Sequence, residues 1–230
     1  MLCSFDEAIL AEVSRSPLLV DQIARLVGRP VKKVSARMRR LFLFGGYVRR
    51  CRTYSREYLY HTGRTPSPIQ FRHTSMTAEF RVQTAIAFPG GGQGLFAEFL
   101  YGHELKMSAV RPDGALVVDR SQLFFIESDC STERLSSLFA YSVEAKLKAY
   151  ETLYETGKYK DTFSGSFRGF RVIVVLTSAV RLQHLRALVE QRGFDFVLLT
   201  TIEELSTRGL LAPIFVTHND RRVSVLGRTA

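Results

Sequence analysis

The chain has 230 residues, the size of one large or two small domains. Hydrophobic residues make up 46% and charged residues 23%, ordinary values that exclude wholesale disorder, collagen and coiled-coil architectures. The formal net charge is +10, which points to an acidic partner.

That charge is unevenly placed. Residues 1–72 hold 14 basic and 5 acidic side chains, a net +9, and the rest of the chain holds 18 and 17. The excess therefore predicts a polyanion-binding module joined to a second domain of different function. No run of about 18 apolar residues exists, so no membrane-spanning helix and no membrane partner is expected. The first ten residues contain Asp6 and Glu7 and read as no secretory signal. Three cysteines, Cys3, Cys51 and Cys130, fit no zinc spacing and suit a reducing cytoplasm, the expected location.

Along the chain, Phe5, Ile9, Leu10 and Val13 recur at helical spacing, with Ser4 and Glu7 placed as a capping box. A second helix is expected over about 20–27, ended by Gly28, and a third over about 31–44, opened by Pro30 and stopped by Gly45-Gly46. Residues 47–52 and 54–60 read as a hairpin. Three short helices and a hairpin make a winged helix-turn-helix, whose third helix enters the major groove of duplex DNA. The expected DNA-binding side chains are Lys32, Lys33, Ser35, Arg37, Arg39 and Arg40 on that helix. On the hairpin they are Arg49, Arg50, Arg52, Tyr54 and Arg56. Such donors meet phosphates and set affinity more than sequence choice.

Pro66 and Pro68 mark a linker over 61–69, and the domains are expected at 1–64 and 65–230. A helix follows over about 75–88, then Pro89 and a glycine run through Gly94; without Gly-Lys-Ser/Thr this is a turn and not a phosphate loop. Strands are expected near 94–101, 115–118 and 123–128, then a long helix over 131–156. A strand at 170–176, a helix at 182–192, a strand at 196–200, a short helix at 202–207 and a final segment through Phe215 complete an α/β (α+β) domain with a mixed sheet.

The chemistry concentrates in Arg111-Pro112-Asp113-Gly114 and in Phe124-Phe125-Ile126-Glu127-Ser128-Asp129. Alternation along a strand sends Glu127 and Asp129 to one side. An antiparallel partner starting at Asp113 then brings three carboxylates to one end of a hairpin, an oxygen-ligand set suited to Mg²⁺ or Mn²⁺. Pro-Asp-Gly is also a common turn, so Asp113 alone carries little.

This order resembles the PD-(D/E)xK nuclease core: an acid on a first helix, Pro-Asp at a strand start, Glu-x-Lys on the next strand, then a helix. With the winged helix in front, the run Phe124 to Glu133 and the helix behind it resemble the replication-relaxation family, which includes the MobC-type relaxases of mobilisable plasmids. The resemblance implies a restriction-endonuclease-like domain with Glu79, Asp113 and Glu127 as metal-holding, catalytic acids. It also implies plasmid-origin DNA as substrate, relaxosome or replication proteins as partners, and metal-dependent nicking as the activity. Asp129 departs from the pattern, standing where lysine is expected; Lys146 is the replacement, on the helical face of Leu135, Phe139, Ser142 and Tyr150.

Among five histidines no His-x-His pair occurs, which disfavours a histidine-metal tyrosine relaxase. Tyr141, Tyr150, Tyr154 and Tyr159 leave tyrosine attack as a rival. The other alternative is a non-catalytic origin-binding accessory protein whose nuclease fold has decayed, favoured by Asp129.

Overall fold

The computed structural model describes residues 2–53, 57–63, 65–68, 70–89, 96–107, 110–131, 135, 142–163 and 165–227. Among these are seven α-helices, a three-stranded sheet and a seven-stranded mixed sheet. The chain forms two compact units, residues 1–86 and 87–230. The division falls at the end of the helix that follows the proline-rich segment, between Ile86 and Ala87.

In the first unit, helices α1 (Ser4–Arg15), α2 (Val20–Leu26) and α3 (Val31–Leu43) precede strands β2 (Arg49–Arg52) and β3 (Tyr58–His61). A two-residue strand β1 (Leu18–Leu19) pairs with β3, giving the order β1-β3-β2. Helix α4 (Gln70–Ala87) follows. Along α3, Val34, Met38 and Leu41 are buried. Their spacing turns one stripe to the core, where they join Ile9, Val13, Ile23 and Tyr60. The positions between them remain for Lys32, Lys33, Arg39 and Arg40, all exposed.

Helix α1 begins one residue earlier than its sequence suggests. Cys3 is the N-cap and Asp6, not Glu7, returns to the Cys3 amide at 2.9 Å. Asp6 takes that role because a second partner holds it: Arg37 of α3 donates through Nε and Nη2 to its two oxygens. A buried carboxylate needs such compensation. Arg37 hydrogen bonding, against the cost of burial, keeps the Asp6 carboxyl well below the usual carboxylate range.

The second unit is built on the sheet order β10-β9-β8-β7-β6-β5-β4. Its strands are β4 (Ala97–Tyr101), β5 (Gly114–Val118), β6 (Gln122–Asp129), β7 (Arg171–Leu176), β8 (Val197–Thr201), β9 (Phe215–Val216) and β10 (Arg222–Val223). β4, β5 and β6 are antiparallel neighbours, β6, β7 and β8 run parallel, and β9 and β10 return antiparallel. The parallel steps require crossovers, which contain helices α5 (Val143–Thr156) and α6 (Ala179–Arg192); α7 (Ile202–Arg208) follows β8. Leu123, Phe125, Val172 and Val174 pack with Leu147, Tyr150, Leu185 and Val189 in one apolar core.

Helix α5 is shorter than the 131–156 expected. Ser142 has extended backbone and its Oγ accepts from the Ala145 amide at 3.1 Å, so the helix starts there. Residues 132–134 and 136–141, including Phe139 and Tyr141, lie outside the described residues, as do Tyr54, Arg56 and the glycines at 90–94.

The Asp6–Arg37 pair makes a testable demand on the fold. Because the folded carboxyl is more acidic than the unfolded one, its contribution is complete above the ordinary Asp range and is lost as pH falls below it. Arg37→Ala is therefore expected to speed amide exchange in residues 4–15 at pH 7 well beyond Arg39→Ala, the gap closing toward pH 2. Equal protection in the two variants at pH 7 contradicts the tie.

Candidate active site and nucleic-acid interface

The start of β5 fixes the acidic site. Gly102, just after β4, donates its amide to the Asp113 carbonyl at 2.8 Å. A Cβ at that glycine would stand 2.0 Å from the Pro112 carbonyl oxygen, so only glycine permits the approach. The Asp113 amide donates to the Ile126 carbonyl at 3.0 Å, and Pro112 then has no amide to extend the ladder. The next amide on that side of β6, Ser128, turns to the Asp113 side chain, donating to Oδ2 at 2.7 Å.

Glu127 points to the helical side of β6 and is 5% exposed. Two residues of α5 meet it: Lys146 Nζ is 2.5 Å from Oε2 and the Tyr150 hydroxyl donates to Oε1 at 2.5 Å. Their spacing of four puts both on one stripe of the helix. Ser142 sets the phase of that stripe and places Lys146 in the first turns, where the helix dipole adds positive potential. Lys146 is 34% exposed at its side chain, and Tyr150 is buried against Phe125 and Phe170.

Burial and the neighbouring Asp113 charge push the Glu127 carboxyl up to about 8, with Lys146 and Tyr150 pulling the other way. Burial, reinforced by Glu127, holds the Tyr150 phenol well above its ordinary value, and its hydroxyl is engaged as a donor to Glu127. Tyr159 is buried too, while Tyr154 is 45% exposed.

Asp129 shares the Glu127 side of the strand but turns elsewhere. It accepts from Arg181 Nε at 2.8 Å and from the Ser131 amide at 2.7 Å, tying the end of β6 to the first turn of α6. Glu79 belongs to the first unit. There Arg25 grips both its oxygens at 2.6 Å, and Gln83 and Gln22 donate to it at 2.9 and 3.3 Å. Burial raises the Glu79 carboxyl, but these donors outweigh it and leave a net lowering. Glu79 thus ties α4 to α2. Among the described residues no three His, Cys, Asp or Glu side chains gather as a metal-holding group; the site unites two carboxylates, a lysine and a tyrosine.

On the basic surface Lys32, Lys33, Ser35, Arg39, Arg40, Arg49 and Arg52 are exposed. Arg37 is spent on Asp6. Arg50 is half-buried, its guanidinium 4.3 Å from the Phe42 ring centre and 4.1 Å from that of Tyr58, a cation–π stack that braces the hairpin on α3. Sequence reasoning passed over Tyr150 as a partner of Glu127 and Arg181 as a partner of Asp129. The four-residue step from Lys146 signals the first, and nothing local signals the second.

Compared with known proteins, the chain matches no family model, no curated protein and no solved structure. Among the described residues no helix is long and apolar enough to cross a membrane.

The raised Glu127 carboxyl has a sign that can be checked. The folded state keeps a proton that the unfolded chain releases, so stability falls as pH rises from the ordinary Glu range to about 8. Urea unfolding of Glu127→Gln is expected to lack that decline, and the native chain is expected to lose on the order of a few kcal/mol across the interval. Parallel pH profiles for the two proteins contradict the assignment.

Proposed function

We propose that the chain is a DNA-processing protein, in which the first unit binds duplex DNA and the second cleaves a phosphodiester at Asp113, Glu127 and Lys146. The observation that carries this reading is the 2.5 Å contact of Lys146 Nζ with Glu127 Oε2 on a strand whose neighbour starts directly after Pro112-Asp113. A PD-(D/E)xK site needs two carboxylates and a cation, and α5 supplies the cation that position 129 does not. The order β5, β6, α5 is the order that the nuclease resemblance implies for Pro-Asp, Glu and the following helix.

The donor set fits a divalent cation. Burial and then the Asp113 charge raise the proton affinity of Glu127, a carboxyl that a cation would relieve, and Mg²⁺ keeps several waters and needs only one or two carboxylates. Asp113 and Glu127 would hold Mg²⁺ or Mn²⁺, which when bound polarises the phosphodiester and activates water. Lys146, partly open to solvent, stabilises charge developing on the phosphate. Tyr150 fixes Glu127, and the Ser128 amide fixes Asp113.

In the first unit, three helices followed by a hairpin support a winged helix-turn-helix, with Lys32, Lys33, Ser35, Arg39 and Arg40 as the exposed α3 donors and Arg49 and Arg52 on the wing. By the same resemblance the substrate is plasmid DNA carrying an origin of transfer or replication, with relaxosome or replication proteins as partners. A second reading, origin binding without cleavage, is favoured by Asp129 in the lysine position and by internal donors on both Glu127 oxygens.

Supercoiled origin-bearing plasmid separates the readings. The native chain is expected to nick it with Mg²⁺ or Mn²⁺ and not in excess EDTA. Asp113→Ala and Glu127→Ala are expected to abolish nicking, and Lys146→Ala to slow it on the order of 10² to 10³. Nicking that survives both carboxylate substitutions overturns the cleavage site; binding without nicking leaves the accessory role.

Duplex binding is expected to weaken steeply with salt, and replacing Arg39 and Arg40 together by Ala to lower the log–log salt slope by about 2. Arg37 stays in place, since removing it perturbs α1. An unchanged slope removes α3 from the interface.

A further inference from the structure

At the opposite end of β6 from Glu127, where β6 and β7 begin, the second unit has an open cavity of about 740 Å³. Gln122 and Glu127 are five positions apart on β6, about 17 Å at roughly 3.3 Å per residue, so this is not the carboxylate site. The volume lies in the range of small-ligand sites.

Its chemistry is selective. Arg168 and Arg171, both exposed, line it with Ser121, Ser166, Phe124 and Phe170, and among the described residues no Asp or Glu is in the lining. Among the described residues neither arginine has an ion-pair partner. In a unit whose basic and acidic residues nearly balance, two unpaired guanidiniums at one cavity select an anion.

The aromatic part is preformed. Phe170 is held edge-on by Phe125 at 4.9 Å and by Tyr159 at 5.0 Å, and Tyr154 meets it edge-on at 5.4 Å between ring centres. Tyr154 nonetheless remains 45% exposed. Gly169 permits its position, because a Cβ there would lie 2.8 Å from the Tyr154 hydroxyl oxygen. An anchored, half-open aromatic ring beside guanidiniums is how sequence-tolerant sites take a nucleotide, base on the ring and phosphate on the cations.

We propose that this cavity binds one nucleotide unit, its phosphate on Arg168 and Arg171 and its base against Tyr154. The same chemistry is offered by a free nucleotide and by a nucleotide within a single strand.

Calorimetric titration of the full chain in EDTA tests this with deoxyadenosine 5′-monophosphate, deoxyadenosine, inorganic phosphate and an eight-residue oligodeoxythymidine. The monophosphate is expected to bind more tightly than deoxyadenosine or phosphate. Arg168→Gln with Arg171→Gln is expected to weaken it at least about tenfold, and Tyr154→Ala about tenfold, with Tyr154→Phe retaining most of the affinity. Amide-exchange protection of residues 166–171 by the oligonucleotide beyond that by the monophosphate identifies a strand; protection by the monophosphate alone identifies a free nucleotide. Protection by neither, phosphate binding as well as the monophosphate, or unchanged affinity in the double variant overturns the site. The titration reads binding without a divalent cation, so its outcome is independent of cleavage at Asp113 and Glu127.

Discussion

A carboxyl group inside an apolar sheet must be matched or neutralised, and in the second unit that constraint is Glu127. Its side chain leaves β6 just past the apolar run Leu123 to Ile126, and Asp113, next to the start of β5, adds a negative charge beside it. Lys146 and Tyr150 answer it from a single helical stripe. For both to arrive, α5 must begin where Ser142 caps it. For Asp113 to stay, β5 must begin where Pro112 closes the ladder and Gly102 packs against it. Truncating one member of such a network leaves the others buried without partners, which costs far more than the net value of the intact set.

The first unit shows how net charge overstates an interface. Of its arginines, Arg25 serves Glu79 and Asp21, Arg37 serves Asp6, and Arg81 serves Glu12. Arg50 is clasped between two rings. These bonds hold α1, α2, α3 and α4 together, and among the described residues of α3 and the hairpin the exposed cations left for a polyanion are Lys32, Lys33, Arg39, Arg40, Arg49 and Arg52. A bidentate arginine on a buried carboxylate is a fold determinant, whereas an exposed lysine on the same helix is available for binding.

Much of this was legible in the sequence because it rests on short-range pattern. The apolar runs at β6, β7 and β8, the Pro30 and Gly45 limits of α3 and the alternation that pairs Glu127 with the helical side all follow from periodicity and turn chemistry. The illegible parts are long-range. Whether Asp6 or Glu7 closes the α1 cap depends on Arg37, thirty-one residues away, and Glu79 is claimed by Arg25 across fifty-four. Apolar spacing continues upstream of α5 through Leu135, whereas the Ser142 cap decides where the helix starts. β1 and β10 are two residues each, below the length at which alternation is visible.

Equilibrium Mn²⁺ binding to the full chain, followed by the loss of its free-ion electron paramagnetic resonance signal, tests the central claim without requiring the DNA sequence. The account predicts binding in the native chain that is lost in both Asp113→Asn and Glu127→Gln and kept in Glu79→Gln, since Glu79 is engaged by Arg25. No Mn²⁺ binding by the native chain, or binding that survives in Asp113→Asn and Glu127→Gln, contradicts it.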